Sequence, residues 1–130
     1  IVDGLPPEQS LAIETSQGLV MLAGCSHPGV VKLVETVQSQ RDTDSIRLLL
    51  GGFHMLRKNP EQIKTTINRL QDLKVRTVMP AHCSGDTAKE MFQAFYGGQF
   101  HAAGAGRLIV LDQGRLVVST LPRQSGQSPE

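Results

Sequence analysis

Three histidines occupy equivalent places along this chain: His27 in LVMLAG-CSH-PG, His54 in LLLGG-FH-M and His82 in VMP-AH-CSG. Each follows a short apolar run and opens a loop, one strand-loop-helix unit from the next. A neutral imidazole offers a lone pair to a borderline divalent ion such as zinc near pH 7. Iron and manganese take imidazole as well, and ligand type alone does not choose among them. One histidine at a strand end is ordinarily a satisfied polar residue. Three at corresponding strand ends point to a shared metal site, because open α/β sheets bind ligands outside the C-terminal ends of their strands.

The flanking residues carry further chemistry. Cys25 and Cys83 sit beside these histidines, and a thiol next to an imidazole can act as a nucleophile pair. The expectation is nevertheless that both are buried and inert, since free cysteine usually is. Gly24, Gly51 and Gly52 permit close backbone approach beside a site. Ser84 and Gly85 open the segment after His82. Ser84 is expected to cap the following helix, and the same donors can take a substrate's phosphate or carboxylate. His101, in the glycine-rich GGQFHAAGAG stretch, reads as a loop residue.

Placing these residues requires alternating strands and helices. LAIET (11–15) and LVMLAG (19–24) read as a hairpin, the second strand buried on both faces. Val30, Leu33, Val34 and Val37 form one helical stripe, with Pro28 tolerated at the start. IRLLLGG (46–52) is a buried strand. Asn59-Pro60 caps a helix striped by Ile63, Ile67 and Leu70. VRTVMP (75–80) is a strand stopped by Pro80; Ala88, Met91, Phe92 and Phe95 mark a third helix face. RLIVLD (107–112) and RLVVST (115–120) form a closing hairpin. The order β-β-α-β-α-β-α-β-β predicts an α/β fold with a mixed sheet. The 130 residues form a single domain, with 1–10 linker-like and 121–130 a flexible tail.

Composition removes several classes. A net charge of +1 and 4% aromatics give no electrostatic or stacking case for nucleic acid or an anionic membrane. No run reaches the roughly 18 apolar residues of a membrane span. Two cysteines make no disulfide framework, and a cytoplasmic setting is expected. The chain opens at Ile1 with no initiator methionine, so a fragment or a processed product is expected.

The motifs GCSHPG (24–29), LLLGGFHM (48–55) and MPAHCSG (79–85) resemble the C-terminal half of a metallo-β-lactamase-fold protein, most nearly the dihydropterin–ribofuranosylaminobenzene phosphate synthase-like subgroup. The resemblance covers about residues 9–120. It implies half of an αββα sandwich with helices on one face. It also implies that His27 and His82 are metal ligands, with zinc the expected ion, one or two in the complete protein. Where that family places a bridging Asp, this chain has Gly51-Gly52-Phe53-His54. His54 then serves as a third ligand or as a catalytic residue lining the pocket. The family's His-x-His-x-Asp-His motif occurs nowhere in the chain.

Two functions follow as expectations. In the first, the chain is the C-terminal part of a metal-dependent hydrolase-like enzyme that activates water against an ester or phosphoester, inactive without its N-terminal half. Its substrate is a small molecule, a phosphate ester being one candidate, held by Ser84 and Gly85. In the second, it is a non-catalytic structural half. Its apolar runs at 19–23 and 48–50 would then be exposed, so that it pairs with an N-terminal half or self-associates.

Overall fold

The computed structural model describes residues 8–122. Most of the expected N-terminal linker and of the expected tail lies outside them. Hairpin strands β1 (Ser10–Thr15) and β2 (Gly18–Ala23) come first, then α1 (Val30–Arg41), β3 (Ile46–Gly52), α2 (Pro60–Asp72), β4 (Val78–Ala81), α3 (Asp86–Tyr96) and hairpin strands β5 (Arg107–Asp112) and β6 (Arg115–Thr120). Single 3₁₀ turns, His82–Ser84 and Gly97–Gln99, flank α3.

The main sheet runs β1-β2-β3-β4. β1 is antiparallel to β2, and β2, β3 and β4 are mutually parallel. That makes the sheet mixed. A bulge shifts the β2–β3 register between Leu19 and Val20, so Ile46 and Leu49 both face the helices although they stand three positions apart, an odd offset that would put them on opposite faces of a regular strand. Leu19, Met21, Ile46, Leu49 and Val78 pack with Val34 of α1, Ile63, Ile67 and Leu70 of α2, and Phe92 of α3. All three helices therefore cover one face. The expected cap of α2 is present in full: Asn59 Oδ1 accepts from the Gln62 amide at 2.9 Å, and Gln62 Oε1 accepts from the Asn59 amide at 3.1 Å.

Two details differ from the sequence reading. Pro80 does not end its strand but pairs with Gly51 inside β4. β4 lies at the edge of the main sheet, where proline's missing N–H leaves no ladder bond unmade. The closing hairpin does not extend that sheet. It forms its own two-stranded sheet, and Ile109, Leu111, Leu116 and Val118 cover Val20, Leu48 and Met79 on the second face. The apolar runs expected to be exposed are thus largely buried. Exposure moves instead to the hairpin's outer side, at Leu108, Val110 and Val117, and to Leu11 and Ile13 on β1.

Gly51 shows how tightly β2 and β3 close toward their C-terminal ends. Its φ is +143°, and a Cβ there would lie 2.1 Å from the Ala23 carbonyl oxygen. Gly51→Ala is expected to destabilise the fold by roughly 3 kcal/mol, the scale of combined overpacking and backbone strain. Urea unfolding checks this; a loss under about 0.5 kcal/mol would show that the strands can separate without cost.

Candidate metal centre

Because β2, β3 and β4 are parallel, the loops after them emerge along one edge. Hydrogen bonds lock these loops together. The Gly52 amide donates to the Gly24 carbonyl at 2.8 Å, and the Met55 and Leu56 amides donate to the Cys83 carbonyl at 3.0 and 3.2 Å. A Cβ on Gly52 would stand 2.8 Å from the Gly24 oxygen and 2.9 Å from Cys83 Sγ, so glycine is required here to let the loops meet. Phe53 anchors the second loop by packing edge-on against Phe92 at a centroid distance of 5.3 Å.

Each junction contains a non-glycine residue in the left-handed region: Ser26 (φ 60°), His54 (φ 50°) and His82 (φ 47°). Such conformations are sparse outside glycine, and they concentrate where surrounding structure holds a functional side chain in place.

The three histidines do not gather at one point. His27 and His54 pair, with ring centroids 4.6 Å apart. His82 turns toward the cysteines: its Nδ1 lies 3.4 Å from Cys25 Sγ. The donor atoms of Cys25, His82 and Cys83 all lie within 4.8 Å of one another, a cluster capable of coordinating a metal ion. The Cys83 thiol also donates to the Cys25 carbonyl at 3.3 Å. Neither cysteine is buried as expected; both are partly exposed. The reason is their position on loops past the sheet edge, where the core ends. Solvent exclusion, then the neighbouring Cys83 thiol and the Glu8 carboxylate, hold the Cys25 thiol above its ordinary pKa.

Ser84 is fully buried, and its hydroxyl accepts from the Phe53 amide at 3.1 Å and donates to the Ala81 carbonyl at 2.7 Å. It ties two loops together and does not cap α3, whose N-cap is Gly85 with no side-chain bond. Gly85 itself lies against Leu56. The His101 amide donates to Val78 at 3.1 Å, which places that residue on the flank of β4.

Glu8 escaped the sequence reading because it stands in what looked like a linker. Its carboxylate accepts from the Ser26 amide, and from the His27 amide at 2.7 Å, with His27 Nδ1 3.5 Å away. Its side chain is only 9% exposed. Only tertiary contact marks it, since nothing local separates it from any acidic loop residue.

Two hollows lie at this edge, and one of them reaches the cluster at Cys83. One of about 590 Å³ is lined by His54, Leu56, Arg57, Lys58, Gln62 and Cys83. The other, about 230 Å³, shares His54 and Lys58 with it and reaches Ser26 and the start of α1. A larger hollow of about 700 Å³ lies beside Asp42, Asp44 and Lys74, at the opposite end of the strands, with no histidine or cysteine.

The fold and 30% of the aligned sequence match a crystal structure described as a metal-dependent hydrolase of the β-lactamase superfamily, with a TM-score of 0.68. That match covers 74% of this chain and 37% of the other. The fold is a metallo-β-lactamase fold. The chain is also 34% identical over 109 residues to the 7,8-dihydropterin-6-methyl-4-(β-D-ribofuranosyl)-aminobenzene-5'-phosphate synthase of Methanocaldococcus jannaschii, a match covering 84% of this chain and 37% of that enzyme. No family model matches the chain. The chain thus spans 37% of the length of each of these relatives. Among the described residues of this metallo-β-lactamase-type chain, no helix is long and apolar enough to cross a membrane.

Glu8→Ala removes the acceptor shared by the Ser26 and His27 amides. Amide exchange at those two positions should accelerate, and stability should fall by about 2 kcal/mol, the scale of hydrogen bonds to a charged group. Unchanged exchange at both would show that Glu8 does not organise this loop.

Proposed function

We propose that this chain is part of a metal-dependent hydrolase-like enzyme acting on an ester or phosphoester, with its metal at the edge where β2, β3 and β4 end. The observation that carries the reading is the Cys25–His82–Cys83 donor cluster at that edge. Thiolate sulfur and imidazole nitrogen suit zinc, and three protein donors with an open position match the donor count of catalytic zinc sites. When bound, such an ion lowers the pKa of its water and polarises a carbonyl or phosphoryl oxygen.

The chain's own residues supply the rest. His82 is the nitrogen donor, and His27 and His54 are further ligands wherever a second ion sits. His54 lines both hollows, so it is placed to hold or pass a proton at a leaving oxygen. Arg57 and Lys58 give the larger hollow a positive wall suited to an anionic substrate. Ser84 and Gly85 shape the neighbouring loop. Zinc and a cytoplasmic setting belong to this reading. So does a partner segment equivalent to the rest of the longer relatives, which are named as a metal-dependent hydrolase and as the synthase of a phosphate-bearing product.

Cobalt(II) titration tests the metal proposal. Binding should give a thiolate-to-metal charge-transfer absorption, lost in Cys25→Ser and Cys83→Ser. His82→Asn should weaken affinity about tenfold or more, at least the scale seen when metal-supporting contacts are removed. Cobalt binding without that absorption, or no tight binding, would exclude the cluster as the centre.

A second reading, a structural half that assembles with another, draws on the exposed Leu108, Val110 and Val117 on the outer side of the closing hairpin. Sedimentation should then show self-association that the double substitution Val110→Lys, Val117→Glu abolishes. A strict monomer at high concentration would reject it.

A further inference from the structure

We infer that the start of α1 forms a phosphoryl-binding subsite, in which Ser26, the first-turn amides of the helix and Lys58 hold the phosphate group of a phosphate monoester substrate.

The 230 Å³ hollow ends on Ser26, Gly29, Val30 and Val31, with Lys58 and His54 on its other wall. α1 is twelve residues long, so its N-terminus carries the partial positive charge of an aligned dipole. Its amides are available. Pro28 has no N–H, and the Gly29 amide is taken by the Ser26 carbonyl at 2.9 Å. The first-turn amides of Val30 and Val31 have no intrahelical acceptor. Gly29 makes no side-chain cap, and no acidic residue stands in the first turn. In contrast, α2 is closed by the Asn59–Gln62 box, and Asp86 already occupies the first turn of α3.

Ser26 supplies the independent sign. It is fully buried, lines this hollow and holds a left-handed backbone, yet its hydroxyl has no hydrogen-bond partner among the described residues. A buried hydroxyl left unpaired costs about 1–3 kcal/mol, so a group that accepts from it is what the position lacks. A phosphoryl oxygen accepts from the hydroxyl, from amides and from an ammonium alike. Lys58 makes no ion pair among the described residues, which leaves its charge for a ligand. Glu8 opposes an anion here, but its oxygens are already committed to the Ser26 and His27 amides. The adjoining larger hollow reaches Cys83, so a phosphate held at α1 leaves the remainder of the molecule beside the metal cluster.

This inference rests on the phosphoester reading for the identity of the substrate but not for binding, which is measured without metal. Inorganic phosphate is titrated into the whole chain in the presence of a chelator and followed by amide chemical shifts. The largest shifts should fall on Ser26, Gly29, Val30 and Val31. Lys58→Ala should weaken phosphate about tenfold, and Ser26→Ala about threefold, while Lys89→Ala changes nothing. Ser26→Ala removes an unpaired buried hydroxyl, so a merely structural serine would leave phosphate affinity unchanged. Shifts centred on α3, or equal affinity in the Lys58 and Ser26 variants and the parent chain, would overturn the subsite. The metal proposal would survive that result, because cobalt binding reads it separately.

Discussion

The close approach of loop backbones at the ends of three parallel strands is the constraint on which this molecule depends. Gly51 packs against the Ala23 carbonyl, Gly52 bonds to Gly24 and lies under the Cys83 thiol, and the Cys83 carbonyl takes two amides from the Phe53–Met55–Leu56 segment. A side chain at either glycine would wedge the loops apart. Without that contact Cys25 and Cys83 would be separate surface thiols, and His82 would have no partner within reach of its Nδ1. Strand spacing in the sheet sets the distance between loops, and the glycines let the loops use all of it.

Around this edge the fold divides its labour between two faces. The helix-covered face holds the main core, in which Phe92 reaches under Phe53 and so fixes the residue preceding His54. The other face is shielded by the separate β5–β6 hairpin, which is apolar on both sides. Its inner side closes the sheet and its outer side stays in water.

The loop edge also concentrates strain and unpaired groups. Ser26, His54 and His82 hold left-handed backbones, and the Ser26 hydroxyl is buried without a partner among the described residues. These features cost stability, and the packed sheet beneath them supplies it. The surroundings of Cys25 hold its thiol above its ordinary pKa, and a thiol gives up its proton on becoming a metal ligand.

Much of the element order was legible in the sequence, because hydrophobic period and turn chemistry are local. The stripe Ile63–Ile67–Leu70, the Asn59 cap and the apolar runs of β2 and β3 each follow from residues close in the chain. The alternation of strand and helix also placed His27, His54 and His82 along one sheet edge, since parallel strands must end on the same side. What local pattern does not carry is direction. Whether His82 turns toward His54 or toward Cys25 depends on backbone torsions at φ 47° and on loops far apart in sequence. The same holds for Glu8, a linker residue by sequence and a loop anchor by contact, and for Ser84, whose hydroxyl is consumed by Phe53 and Ala81. The sequence by itself determined which chemical groups reach the edge. Only the tertiary structure decided how they pair, because pairing is a matter of a few ångströms between segments that meet only when the sheet has formed.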